Sequence, residues 1–208
     1  KYIKNLSYVN YYADPQQWFF LLKVPGLWRV MFPVQKEENE ADIFGAECVE
    51  NRMQWVQASP KTFEIAHRTL YKVHQRVAAK YREGRIFLIG DAAHINNPLG
   101  GMGMNGGIHD AFNLAEKISL FWHNQKNSSV LDLYEKQRRP IALEYVNKQS
   151  IKNKQNLEAN TLEAQEAFRV FLSELMEDQS RARDYMMRVS MISSLRESPR
   201  NDYFLNRS

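Results

Sequence analysis

The chain has 208 residues, a formal net charge of +4, 44% hydrophobic and 25% charged residues, and a single cysteine. That is an ordinary globular composition, with length for one domain or two small ones. It excludes an intramolecular disulfide, holds no apolar stretch near the ~18 residues of a membrane span, and its interspersed basic residues argue against nucleic-acid binding.

Lys1 to Asn5 has the character of neither a signal peptide nor a native start. From about Leu6 to Val34 three β-rich runs follow one another: Tyr8 to Tyr12, Trp18 to Val24 and Leu27 to Val34. Asp14-Pro15 and Pro25-Gly26 separate them, and turns this tight predict antiparallel strands. Their aromatic residues are expected to pack the sheet. Glu37 to Gln57 reads as an acidic-headed helix with Ile43, Phe44, Cys48, Val49, Met53 and Val56 on an imperfect apolar face. Cys48 is a packing residue there, and one free cysteine fits a reducing, cytoplasmic compartment. Between Thr62 and Ala78 the residues Phe63, Ile65, Tyr71, Val73 and Val77 all fall on odd positions, which predicts extended chain.

Tyr81-Arg-Glu-Gly84 is a turn. Ile86 to Ile89 is a short apolar run suited to a buried strand. Gly90 ends it, and Asp91 stands at its carboxyl end, where open α/β sheets place their ligands. The next loop holds Asn96, Asn97 and Pro98, and five glycines lie between Gly100 and Gly107. Side chains have thus been cleared from a surface that a ligand or another backbone approaches closely. After Asn105, Ile108, Ala111, Phe112, Ala115, Ile118, Phe121 and Trp122 recur every three or four residues as the apolar face of a helix. The glycine loop therefore feeds a helix N-terminus, whose free N–H groups and positive dipole end suit an anionic or electron-rich ligand.

Asn124 to Ser129 is a polar loop, with Ser128 or Ser129 as an N-cap. Val130, Leu131, Tyr134, Ile141, Tyr145 and Val146 continue as helix, which Pro140 kinks or restarts. Gln149 to Glu158 is an exposed helix or connection. Leu162 to Met176 and Tyr185 to Leu195 are two amphipathic helices, and Glu197 to Ser208 is a loose end.

Two patterns are set aside. Gly101-Met-Gly-Met-Asn-Gly106 fits G-x-G-x-x-G, but that fingerprint needs its glycines directly after a strand, and here eleven residues separate Ile89 from Gly101. Asp91, His94, His109 and Asp110 do not make a metal site by spacing alone, and Asp110 is expected in the first helical turn, where the dipole accounts for it.

Arg85-Ile-Phe-Leu-Ile-Gly-Asp-Ala-Ala-His94, then Pro98, Gly100-Gly-Met-Gly-Met-Asn105 and Asp110-Ala-x-Asn-Leu114, resembles the second FAD-binding motif of flavin-dependent monooxygenases of the para-hydroxybenzoate hydroxylase type. Looser similarity runs from about Tyr8 to about Tyr145. The resemblance implies an α+β / α/β fold: the C-terminal part of a two-layer FAD-dependent monooxygenase, with antiparallel substrate-layer strands, a strand–loop–helix flavin motif and terminal helices. The N-terminal Rossmann unit does not precede these strands, so a missing N-terminal FAD-binding half is the expected partner, and the chain alone is expected to be inactive. In that division residues 1–60 are the remnant of the substrate layer plus a helix, 61–123 the FAD-binding segment, and 124–208 the C-terminal helices.

The resemblance also implies roles. Gly90 belongs to the cofactor-binding set, and Asp91 faces the ribityl or pyrophosphate linker region of FAD, its carboxylate accepting a hydrogen bond from a hydroxyl there. Pro98, Gly100 and Gly101 pass beside the isoalloxazine ring. Met102, Gly103, Met104 and Asn105 form the helix start, with the last two amides toward the N1–C2=O edge. His74 and Arg76 are candidates to reach the flavin or the reductant, and aromatic residues of the sheet line a substrate pocket. The implied activity is hydroxylation of an aromatic or similar electron-rich small molecule through a flavin C4a-hydroperoxide, using NAD(P)H and O2. No residue is assigned as a catalyst, and His94 reads as a structural loop residue. The alternatives are another flavin oxidoreductase of the same fold (a dehydrogenase, reductase or halogenase), or a non-catalytic module that has lost FAD.

Overall fold

The computed structural model of the protein describes residues 6–35, 37–58, 62–124, 128–159 and 161–197. The N-terminal pentapeptide, the middle of the Asn124 to Ser129 loop and the tail beyond Glu197 lie outside the described residues. Two compact units emerge: one up to Tyr71 together with Gln155–Arg169, the other Lys72–Lys154 together with the residues from Val170 on.

The first unit begins with a three-stranded antiparallel sheet in the order β1 (Val9–Tyr12), β2 (Phe19–Val24), β3 (Leu27–Met31). Asp14 closes the first connection by accepting the Gln16 and Gln17 amides on Oδ1, at 2.9 and 3.3 Å. Pro25 and Gly26 make the second, with Gly26 at φ +76°, the positive value a two-residue turn of this kind demands. The central strand is buried on both faces, at Phe19, Phe20 and Leu21. Tyr12 stacks on Phe19 with centroids 4.4 Å apart, and Tyr11 lies 5.4 Å from Phe20 across the other face. The expected helix over Glu37 to Gln57 is two helices, α1 (Glu40–Ile43) and α2 (Ala46–Val56), divided at Gly45. Asn39 caps α1 by accepting the Ala41 amide. A Cβ on Gly45 would stand 3.0 Å from the Asp42 carbonyl, so the chain bends where it has no side chain to clash. The residues from 62 to 75 form no strand ladder, because alternation extends a chain but a ladder needs a neighbour to bond.

The second unit opens with short antiparallel ribbons. β4 (Arg76–Val77) pairs with β7 (His94–Ile95), and β5 (Arg82–Glu83) with β6 (Ile86–Phe87) across Gly84 at φ +58°. The Ile86 to Ile89 run is not the buried strand its composition suggests. Ile86 and Ile89 are exposed, since β6 bonds only to the two residues of β5. Seven helical segments follow along the chain among the described residues: α3 (Met102–Asn124), α4 (Ser129–Ile141), a π-helical turn (Ala142–Asn147), α5 (Lys148–Leu157), α6 (Leu162–Glu177), α7 (Gln179–Val189) and, after Met191, the short α8 (Ile192–Glu197), with the end of α5 and the first half of α6 counted in the first unit. Pro140, which cannot donate an N–H, sits at the end of α4 directly before the π-helical turn.

α4 grips the hairpin. Glu135 Oε2 accepts the amides of Tyr81 at 2.6 Å and Arg82 at 3.1 Å, Arg82 forms an ion pair with Asp132, and the Tyr134 hydroxyl donates to the Leu88 carbonyl at 2.7 Å. Tyr81, Ala93, Leu114, Tyr134 and Ala142 make one core cluster, and burial pushes both tyrosine hydroxyls well above their usual range. Among the described residues no helix is long and apolar enough to cross a membrane.

Candidate functional site

The strand–loop–helix segment folds as one continuous path within the second unit. At Gly90, φ is +55°, a value only glycine adopts freely. The turn it opens, a single 3₁₀ turn over Gly90–Ala92, places Asp91 on the surface. His94 and Ile95 then pair with β4. The next stretch alternates: Asn97, Leu99 and Met102 point inward and are buried, whereas Pro98, Gly100, Gly101, Met104 and Asn105 are exposed. The inward residues are anchors, and the outward ones present mostly backbone.

Each anchor has an identifiable hold. Asn97 donates from Nδ2 to Gln75 Oε1 at 2.9 Å and to the Ser150 carbonyl at 3.2 Å, and its Oδ1 accepts the Leu99 amide at 3.1 Å. Asn153 Nδ2 donates to the Leu99 carbonyl at 3.2 Å. Met102 packs with Val146 and Met191. Gln75 therefore fastens the loop, while its sequence neighbours His74 and Arg76, the candidates for that region, are both exposed. A Gln between a His and an Arg carries no signal of this kind in a sequence.

The exposed edge is shaped for close approach. Gly100 and Gly101 have φ of +97° and +64°, and nothing lies within 4 Å of where a Cβ on Gly101 would be. α3 begins at Met102, three residues before the apolar spacing suggests. The amides without an intrahelical acceptor therefore include those of Met102, Gly103 and Met104. Asn105 sits in the same first turn, its side chain donating to the Gly101 carbonyl at 3.4 Å. The positive dipole end of a 23-residue helix, a backbone edge bare of side chains and the surface carboxylate of Asp91 are joined by ten residues of anchored chain. A flat, polar-edged ligand with hydroxyl groups fits this donor set.

Two sequence expectations are corrected here. Asp110 is not in the first turn of α3 but more than two turns in, with no exposed surface, so the helix dipole is not what holds it. Its Oδ2 accepts from His94 Nε2 at 2.7 Å and from the Gly90 amide at 3.1 Å, and its Oδ1 from Arg138 Nε at 2.7 Å. Burial alone would raise its pKa, but the hydrogen bonds from His94 and Arg138 and the guanidinium charge outweigh it and hold the carboxyl below its ordinary value. The second correction concerns the facing of α3. Its apolar stripe, with Ile108, Ala111, Phe112, Ala115, Ile118, Phe121 and Trp122, is exposed, and Phe112 and Trp122 each keep 75% of their surface. Inward lie Gly106, Asp110, Leu114 and Lys117. The inward side can be polar because Arg138 neutralises Asp110 and His94 hydrogen-bonds to it, and small because the helix lies close to the turn at Gly90.

The profile of the family described as the FAD binding domain matches residues 22–149. A para-nitrophenol 4-monooxygenase of Pseudomonas sp. (strain WBC-3) is 35% identical over 144 residues, which is 67% of this chain and 35% of that protein. A pentachlorophenol 4-monooxygenase of Sphingobium chlorophenolicum is 32% identical over 138 residues, 65% of this chain and 26% of that protein. The crystal structure of a p-nitrophenol 4-monooxygenase from Pseudomonas putida DLL-E4 superposes with a TM-score of 0.74 at 28% identity, over 83% of this chain and 45% of that one. An anhydrotetracycline hydroxylase from Streptomyces rimosus superposes with a TM-score of 0.63 at 27% identity, over 86% of this chain and 36% of that one. The chain thus spans about a quarter to a third of the length of these curated relatives.

Proposed function

Because the chain belongs to the FAD-binding domain family, with flavin-dependent aromatic-ring monooxygenases as its relatives, we propose that it supplies one side of an FAD site in an enzyme that hydroxylates a phenol or similar electron-rich aromatic molecule with NAD(P)H and O2. The observation that carries this reading is the anchored, side-chain-poor path from Asp91 to the first turn of α3.

FAD, when bound, supplies the electron transfer and the oxygen chemistry. The residues of this chain hold and orient it. The Asp91 carboxylate accepts hydrogen bonds from hydroxyls of the linker. Pro98, Gly100 and Gly101 offer backbone to the ring. The free amides at the start of α3, those of Met102, Gly103 and Met104, place a positive field at the edge where a reduced ring carries negative charge, while the Asn105 amide, the fourth in the helix, turns back into it.

The outward stripe of α3 is the seat for the remainder of the FAD-binding fold. Exposed apolar area in a row along 19 residues, from Met104 to Trp122, is the kind of surface that another part of a protein covers.

The test is made on the complete protein. It is expected to carry flavin and to form hydroxylated product from a phenol only with O2 present. Product formed equally well without O2 would mark a dehydrogenase or reductase, and a protein that takes up no FAD would mark a module that has lost it. Asp91→Ala is expected to weaken FAD retention by about tenfold or more, the loss of one charge-assisted hydrogen bond.

A further inference from the structure

Behind the exposed edge lies a buried polar cluster that no step of the cofactor reading uses. Asp110, His94 and Arg138 keep 0%, 2% and 3% of their surface. They come from α3, β7 and α4, and the Asp110 carboxylate bonds all three elements together with the Gly90 amide. An ionised carboxylate without partners is too costly at such a depth, and removing either member of a buried pair strands the other. Tyr81, Tyr134 and His109 also face this cluster. Burial first, and the Arg138 charge second, push His109 below its ordinary value.

The backbone geometry around the cluster is equally tight. A Cβ on Gly107 would stand 3.2 Å from the Gly90 Cα, and one on Gly106 would stand 3.0 Å from His94 Cε1. α3 is thus laid directly on the turn, and Asp110 reaches back from the helix to the amide of Gly90, the residue before Asp91.

We propose that Asp110, His94 and Arg138 form a clasp that sets the position of Asp91 relative to the first turn of α3, with Arg138 as a positioning residue acting through Asp110. This rests on the FAD reading for its consequence, but the clasp itself can be read without the cofactor. Arg138 donates to Asp110 Oδ1 at 2.7 Å and to the Gly106 carbonyl of α3 at 3.5 Å, so its effect on a ligand at the exposed edge passes through these two groups, the carboxylate first.

The experiment compares the complete protein with its Arg138→Met and Arg138→Lys variants, and with Val130→Ala in α4 as a core change outside the clasp. Two readouts are taken: amide hydrogen exchange over Gly90–Ala92 in the FAD-free form, and the dissociation constant and visible spectrum of bound FAD. Arg138→Met is expected to speed exchange at those amides and to weaken FAD by about tenfold with a shifted flavin spectrum. Arg138→Lys restores the charge without the fork, so it is expected to recover only part of the loss. Val130→Ala is expected to lower the melting temperature and to leave exchange at Gly90–Ala92 and the spectrum unchanged.

Unaltered exchange in Arg138→Met, or an effect no different from that of Val130→Ala, overturns the clasp. If Arg138→Met does not fold, Arg138→Lys decides: exchange and FAD affinity equal to the parent overturn the proposal, and intermediate loss supports it. A parent protein that takes up no FAD, yet shows faster exchange in the variants, overturns the cofactor reading and leaves the clasp standing.

Discussion

One long face of α3 is turned inward and carries Gly106, Asp110, Leu114 and Lys117; the other is turned outward and carries Ile108, Phe112, Ile118 and Trp122. By hydropathy alone the two would be exchanged. The inward face is buried because each polar group on it has a partner: Asp110 has Arg138 and His94, and Lys117 has Glu116 at 2.6 Å. Its glycines let the helix approach the turn at Gly90. Partnership and size, more than apolarity, decide which side of this helix is packed, and the apolar side is left exposed in this chain.

The strongest way to break this contrast is to leave the inward face unpaired. Asp110→Ala strands the Arg138 guanidinium and is expected to cost about 3–5 kcal/mol in denaturant unfolding of the complete protein, whereas Asp110→Asn combined with Arg138→Met is expected to cost less than the single change. A loss below about 1 kcal/mol for Asp110→Ala would mean that the pair contributes no more than an ordinary surface one.

The outward face is sharpened next. Trp122→Ala is expected to cost about 3 kcal/mol in the complete protein, as for a tryptophan removed from a packed interior. A change within about 0.5 kcal/mol would show that this face stays in water. Gly107→Ala is expected to cost about 1 kcal/mol, because the new methyl meets backbone at Gly90, which Asp110 holds in place, and this outweighs the better helix propensity of alanine.

The smallest effect is in acid. The folded carboxyl of Asp110 titrates below its ordinary 3.8, so its contribution is complete above that value and is lost as the pH falls through the lower, folded one. The melting temperature of the parent is therefore expected to fall below about pH 4 more steeply than that of the Asp110→Asn, Arg138→Met double variant, and parallel acid limbs would show that Asp110 gains nothing from its partners.

How much of this was legible before the fold was known follows from the range of each interaction. The three antiparallel strands are local: β-rich runs broken by Asp14-Pro15 and Pro25-Gly26 have one simple way to pair. The glycine loop and the existence of α3 are local too, being written in spacing and in residue type. The burial of Asp110 is not, since its cation lies 28 residues further on, among several arginines and lysines of similar standing. Gln75 was hidden for the same reason: its partners Asn97 and Ser150 are 22 and 75 residues away. The Ile86 to Ile89 run misled because apolar composition promises burial only where neighbouring strands exist to provide it.

The π-helical turn at Ala142–Asn147 carries its own consequence. A wider turn is one residue inserted into a helix, and each residue of an α-helix turns the axis by about 100°. It therefore acts as a phase setting between α4, which faces the hairpin, and α5, whose Ser150 and Asn153 face the loop at Asn97 and Leu99. Deleting Leu143, whose side chain forms no hydrogen bond, would keep every hydrogen-bonding side chain in the chain and rotate Ser150 and Asn153 away from the backbone they now hold.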